Sequence, residues 1–352
     1  MKPPGIGDGG GTSTVEVVDS SNEAAPAPEY ASSISLYIDA GLSSDDEECS
    51  LDPQLAASLG IVLADCENIQ IRITRSSGES AIFTVMALTQ AATDSYIGLT
   101  AGGFAKLDSV ATTLSGCSVS TRVTWPGYTA VEAAAHAEGL YIERVRDDGS
   151  SVLCIALAPH GGLIESGTDE QADAFAAALG CSSWVCEGYS VAYPTGGHAT
   201  QSAAAYARFH ITSTAISGRS FPLLGTLLER GFEYSVAFHG LSDATAAALG
   251  GGDCDVLIGG SAALQLREDI ATAVNAITGF TAGGFTSRAA VVGDAPFAGT
   301  ESSNICNAIT GTSTNGVFVS SNAGLQIEQS TSARAAFAEE IALAIAVVIA
   351  AQ

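Results

Sequence analysis

From about residue 127 the chain alternates continuously apolar runs with stretches of helical period, and this alternation constrains its fold more than any other feature. Val152-Leu153-Cys154-Ile155-Ala156-Leu157 and Tyr234-Ser235-Val236-Ala237-Phe238 have almost no polar face, as expected of strands covered on both sides. Helices are predicted over 130–138, 170–179, 265–277 and 333–350; the second opens at Thr168-Asp169-Glu170-Gln171 and stops at Gly180. Residues 127–352 therefore read as an α/β domain, a mixed sheet with helices on both faces.

The upstream sequence has a different texture. In residues 45–126, Ile69–Thr74 and Ser80–Val85 alternate around Ser76-Ser77-Gly78-Glu79, the mark of a hairpin, and Leu55–Leu59 reads as a short helix stopped by Gly60. This reads as a small β-barrel module without a catalytic cluster, suited to assembly or substrate presentation. Residues 1–44 read as a low-complexity tail or linker. Gly9-Gly10-Gly11 and Ala25-Pro26-Ala27-Pro28 stand among acids, with too few large apolar side chains for a core.

Within the α/β domain the strand ends carry the chemistry. The first apolar run passes into Ala158-Pro159-His160-Gly161-Gly162-Leu163-Ile164-Glu165, and the second closes on His239-Gly240. Ligands bind at strand ends in such sheets. Two histidines and a glutamate form the ligand set of a catalytic zinc that keeps one position open for water. His160 and Glu165 are five apart across Gly-Gly, so the setting is a strand, a turn and a helix start, not the helical motif with histidines four apart. Taken singly, each has an ordinary structural explanation: a strand-end histidine bonding locally, and a glutamate facing a helix N-terminus.

Five runs follow one another in order: His160-Gly161-Gly162-Leu163-Ile164-Glu165, Phe209-His210-Ile211-Thr212-Ser213, Phe238-His239-Gly240, Ile258-Gly259-Gly260 and Gly324-Leu325-Gln326-Ile327-Glu328-Gln329-Ser330. Together they resemble the poly-gamma-glutamate hydrolase family of phage and bacterial enzymes, related in fold to zinc carboxypeptidases, over roughly residues 130–352. The resemblance implies zinc held by His160, Glu165 and His239, a catalytic Glu328 on a late strand facing the metal, and a substrate contact for His210. One stretch departs from the family pattern. Where many relatives have an acidic-proline turn after Ile211-Thr212-Ser213, this chain has Ala215-Ile216-Ser217-Gly218-Arg219-Ser220-Phe221-Pro222, which bears on substrate preference more than on zinc.

The chemistry has its own logic. Zinc lowers the pKa of bound water from about 15.7 toward roughly 7, and a second carboxylate must then take the proton and return it to the leaving amine. Glu328 suits that role because an apolar strand raises its pKa. Among Arg208, Arg219, Arg267 and Arg334, the first two flank the His210 motif and rank first as bidentate partners for a substrate carboxylate. His136 and His198 read as a surface helix residue and a loop residue.

A net charge of −25, with lysine only at Lys2 and Lys106, excludes nucleic acid and anionic membranes as partners. It favours a saline or extracellular setting over the cytoplasm without fixing it. The longest apolar run, Ile341–Ala350, is too short to span a bilayer, and Met1–Ser20 lacks the apolar core of a signal peptide. No two of the eight cysteines form a Cys-x-x-Cys pair, which argues against a zinc ribbon. Cys154 and Cys186 read as core thiols, while Cys49, Cys66, Cys117 and Cys306 are available for disulfides in an exported chain.

The reading is a zinc-dependent hydrolase of amide bonds, with γ-glutamyl bonds of poly-γ-glutamate or a related peptide as substrate. The alternative is a hydrolase-like structural subunit of an extracellular assembly, a homo-oligomer or filament joined through its tail. An acidic protein repels a polyanion, so the first reading requires a locally basic cleft or a less charged substrate.

Overall fold

The structure, a computed structural model, describes residues 30–352 except 44, 63–68, 90–94, 126–131, 148, 150–152, 194–196, 229, 311, 315–316 and 320–322. The tail of residues 1–29, through which assembly was expected, lies outside the described residues, as do Val152 and Cys66.

Six strands close a barrel: β1 (Tyr30–Ile38), β2 (Glu48–Leu51), β3 (Ile69–Thr74), β4 (Ser80–Leu88), β5 (Tyr96–Leu99) and β6 (Thr113–Ser120), in the order β1-β5-β2-β4-β3-β6. Closure leaves no unpaired edge. The interior is built mainly from apolar side chains, Ile34, Leu36, Leu51, Ile71, Ile73, Phe83, Val85, Ile97 and Phe104 among others, and Lys106 is buried beside Phe83, donating to the Ile82 carbonyl. The β3–β4 hairpin forms over the expected residues, and the helix Pro53–Ser58 is capped by the Asp52 carboxylate. The boundary at 44/45 needs correction: β1 comes from residues that the sequence reading placed in the tail, and Ile34 and Leu36 supply the apolar face that closes the barrel.

The α/β domain holds a seven-stranded mixed sheet. Its strands are β7 (Tyr141–Arg146), β8 (Cys154–Gly162), β9 (Ser182–Gly188), β10 (Tyr234–Leu241), β11 (Val256–Gly259), β12 (Ser287–Ala289) and β15 (Gly324–Ser330), ordered β12-β11-β15-β10-β8-β9-β7. β13 (Thr312–Thr314) and β14 (Val317–Val319) pair apart from it. The four central strands, β15, β10, β8 and β9, run parallel. One face carries Phe175, Ile270, Ile341 and Ile345 from the helices Thr168–Leu179, Leu264–Asn275 and Thr331–Ile349; the other carries Phe209, Phe221 and Trp184. Gly180 ends the first of these helices in the left-handed region at φ 62°, where glycine carries no Cβ penalty.

The two modules share a packed seam. Ile82 of the barrel lies in the same apolar cluster as Trp184 and Phe209, and Gln70 Nε2 donates to the Ala215 carbonyl at 2.5 Å. Gln70 N–H donates to Ser220 Oγ, and on the barrel's own side Arg72 donates to the carbonyls of Val123 and Thr124.

Seven cysteines, Cys49, Cys117, Cys154, Cys181, Cys186, Cys254 and Cys306, are buried free thiols. No helix among the described residues is long and apolar enough to cross a membrane.

Candidate metal centre

The site is assembled where the central strands end. β8 loses its register with β9 between Ala158 and Gly161, at Pro159-His160, where proline has no N–H to give a ladder. The irregularity lies where His160 leaves the ladder. The glycines that follow are required by packing: a Cβ on Gly161 would sit 2.8 Å from the Asp169 side chain and the Cys186 carbonyl, and Gly162 has a φ of 67°. On β10, His239 lies directly opposite Glu328 of β15. A Cβ on Gly240 would overlap the Arg334 guanidinium, so this glycine lets Arg334 lie against the strand end.

His160, Glu165 and His239 converge, almost fully buried, with His160 and His239 each 2% exposed. His160 Nδ1 is 3.2 Å from Glu165 Oε1 and 3.2 Å from His239 Nδ1, and His239 Nδ1 is 3.5 Å from Glu165 Oε2. Both rings are held from behind: His160 Nε2–H donates to the Ile211 carbonyl at 2.8 Å, and His239 Nε2 is hydrogen-bonded to Ser213 Oγ at 3.3 Å. The first bond leaves Nδ1 of His160 facing the carboxylate. Both Nδ1 atoms and the two Glu165 oxygens therefore face one another. Ligands about 2.0–2.1 Å from a tetrahedral ion stand roughly 3.3 Å apart, so these separations match a metal's coordination edge. The outer bonds are those that fix ligand tautomers in metal sites.

The electrostatics agree. Burial disfavours charge on His160, but the Glu165 carboxylate outweighs it and raises the imidazole above its ordinary value. Burial likewise opposes ionisation of Glu165, yet His160 and His239 bring it well below the carboxylate range. The cluster thus stabilises positive charge beside a carboxylate. Glu328 behaves oppositely: burial raises it, reinforced by Glu165 against the pull of His239. Gln326 Nε2 donates to Glu328 Oε1 at 2.7 Å, and Gln326 is itself held by Asn304 at 2.6 Å.

All of these groups line one cavity of about 790 Å³, within the range of small-molecule sites, together with His210, Tyr206 and Arg334. Neither arginine ranked first in the sequence is part of that lining. Arg208 ends the helix Gln201–Phe209 and turns away, donating to Ser190 Oγ and the Lys106 carbonyl while its guanidinium lies 4.0 Å from the Tyr193 ring. Arg334 reaches the cavity instead, from the first turn of the C-terminal helix, donating to the carbonyls of Ser166 and Gln329. His136 packs on Tyr189 and His198 on Tyr193, outside the cavity.

One residue of the site had no sequence signal. Glu47, just before β2 in the barrel, reaches across the seam to His210 Nδ1 at 2.5 Å. Burial opposes its ionisation, but the hydrogen bond and charge of His210 bring it down to about 2. His210 is held below its ordinary value by burial and by the neighbouring His160 ring, against the Glu47 carboxylate bonded to its Nδ1.

A sequence profile of the poly-gamma-glutamate hydrolase family matches residues 127–346. Among solved structures, a bacteriophage poly-gamma-glutamate hydrolase is 23% identical, covering 63% of this chain and 95% of its own at a TM-score of 0.44. The protein YNDL in its zinc-free apo form is 26% identical over 56% of this chain and 75% of its own, at 0.36. A metallo-carboxypeptidase from Burkholderia cenocepacia is 9% identical over 81% of each chain, at 0.33. No curated protein sequence shows significant similarity to the chain. The profile spans well over half of the sequence, from the start of the α/β domain into its last helix, and the chain belongs to the poly-gamma-glutamate hydrolase family.

Proposed function

We propose that the protein is a zinc-dependent hydrolase of amide bonds, acting on γ-glutamyl bonds of poly-γ-glutamate or a related peptide. The observation that carries this reading is the convergence of His160, Glu165 and His239, with His160 Nδ1 3.2 Å from His239 Nδ1 and 3.2 Å from Glu165 Oε1, and His239 Nδ1 3.5 Å from Glu165 Oε2, around room for one small cation in the cavity. Family membership supports the substrate class. Zinc bound there would polarise the scissile carbonyl and supply an activated water.

The remaining work falls to the chain's own groups. Glu328 receives the proton of the attacking water and hands it to the departing amine. Gln326 occupies one of its oxygens and leaves the other for the proton. The raised pKa brings Glu328 toward the range in which accepting and returning a proton are both favourable. Arg334 takes the role that the sequence reading gave to Arg208 and Arg219: a guanidinium inside the cavity for a substrate carboxylate. Its charge also eases the entry of an anionic substrate into an acidic protein.

Glu328→Gln tests the assignment because it keeps the side-chain shape and removes the basicity. Hydrolysis of poly-γ-glutamate should fall by at least about 10²-fold with zinc content unchanged. Unaltered turnover would remove Glu328 from the mechanism.

A further inference from the structure

Three observations converge on the segment His210–Ser213. The Ile211 carbonyl accepts from His160 Nε2–H and Ser213 Oγ is hydrogen-bonded to His239 Nε2, so this segment sets the orientation of both rings. His210 lies between two other rings, its centroid 4.3 Å from that of His160 and 4.4 Å from that of Tyr206. Both oxygens of one carboxylate hold the segment from the far side. Glu47 Oε1 accepts from His210 Nδ1 at 2.5 Å, and Oε2 accepts from Thr212 N–H at 3.0 Å and Thr212 Oγ1 at 3.2 Å.

We infer that Glu47, contributed by the barrel, is a positioning residue of the hydrolytic site. It fixes His210 as the Nδ1–H tautomer, so that Nε2 is left to the cavity as a hydrogen-bond acceptor, suited to a substrate amide N–H and not to a carboxylate. An exposed surface ion pair contributes little, but this carboxylate is four-fifths buried, receives three donors and bridges two modules. The bonds from Gln70 to Ala215 and Ser220, together with the shared apolar cluster, seat the barrel firmly enough to make Glu47 a fixed anchor. The barrel is thus a structural part of the active site.

Glutamine cannot take the place of this carboxylate. Every partner of Glu47 is a donor, and a Gln side chain has only one accepting oxygen. If that oxygen keeps Thr212 N–H, its amide N–H₂ meets His210 Nδ1 and forces the proton to Nε2, turning a donor toward the substrate.

The test uses full-length, zinc-loaded protein with ¹⁵N-labelled histidine. Long-range ¹H–¹⁵N correlation should show His210 as the Nδ1–H form, its signals assigned by their loss in His210→Gln. In Glu47→Gln the same ring should switch to Nε2–H, with zinc content and the signals of His160 and His239 preserved. The kinetic consequence rests on the amide-hydrolase reading: kcat/KM for poly-γ-glutamate should fall about tenfold in Glu47→Gln. Adding Glu47→Gln to His210→Gln should cost nothing further.

An Nε2–H tautomer of His210 in the wild type overturns the inference whether or not Glu47→Gln folds. So does an unchanged tautomer in Glu47→Gln, or a kinetic loss that multiplies with that of His210→Gln. If the wild type does not cleave the polymer, the substrate reading fails while the tautomer result still decides the role of Glu47.

Discussion

The barrel and the α/β sheet differ most in what they bury. The barrel closes on itself, pairs every strand and fills its interior mainly with aliphatic and aromatic side chains, with Lys106 buried beside Phe83. The sheet buries His160, Glu165, His239, Gln326, Glu328 and Arg334 together at the ends of its parallel strands. Parallel strands flanked by helices leave a crevice at their C-terminal edge, and there these groups meet. Both modules have apolar cores, but the candidate chemistry is concentrated in the sheet. The barrel's contribution to the chemistry comes from a connection, at Glu47, and not from its interior.

The sharpest way to break that division is to damage the barrel core. Phe104 is 1% exposed within the apolar cluster, so Phe104→Ala should lower unfolding stability by about 3–5 kcal/mol. Denaturant titration checks the first part. At a temperature where the variant remains folded, its zinc content and kcat should stay within about twofold of wild type. A large loss of kcat in folded Phe104→Ala would mean that the two modules are not separable in this way.

A smaller effect sharpens the comparison at the seam. Glu47 has its folded pKa depressed from 4.5 to about 2, so the stability it contributes is present above about pH 4.5 and is lost as pH falls toward 2. Asp294, bonded to Arg288 within the α/β domain, follows the same sign, from 3.8 to about 2. The Tm gap between wild type and Glu47→Gln should therefore shrink between pH 5 and pH 2.5, while acid sensitivity owed to Asp294 persists in both. A gap that stays constant over that range would contradict the Glu47 assignment.

The reach of the sequence follows the same division. His160, Glu165 and His239 could be brought together on paper because each follows a recognisable apolar strand, and strand ends in a parallel sheet share one edge. Arg208 misled because nearness in sequence to His210 is not nearness in space: a helix ends between them, and the two side chains leave in different directions. Arg334 is 124 positions from His210 and enters through the first turn of the last helix, beside a strand end that only glycine at 240 leaves open. Glu47 was out of reach because Asp45-Asp46-Glu47-Glu48 reads as a solvated acidic run, and its partner lies 163 residues away. The strand Tyr30–Ile38 was missed for a simpler reason. Ile34, Leu36 and Ile38 do alternate with polar or outward residues, but an adjoining Gly- and Pro-rich stretch drew the boundary too late.

The central claim is that one small cation belongs between His160, Glu165 and His239, and elemental analysis of the purified full-length protein tests it most directly. The account predicts about one zinc per chain, falling to near zero in His160→Ala and in His239→Ala, because a site with three protein ligands has none to spare. Zinc retained in both variants, or a metal-free wild type that still hydrolyses its substrate, would contradict it.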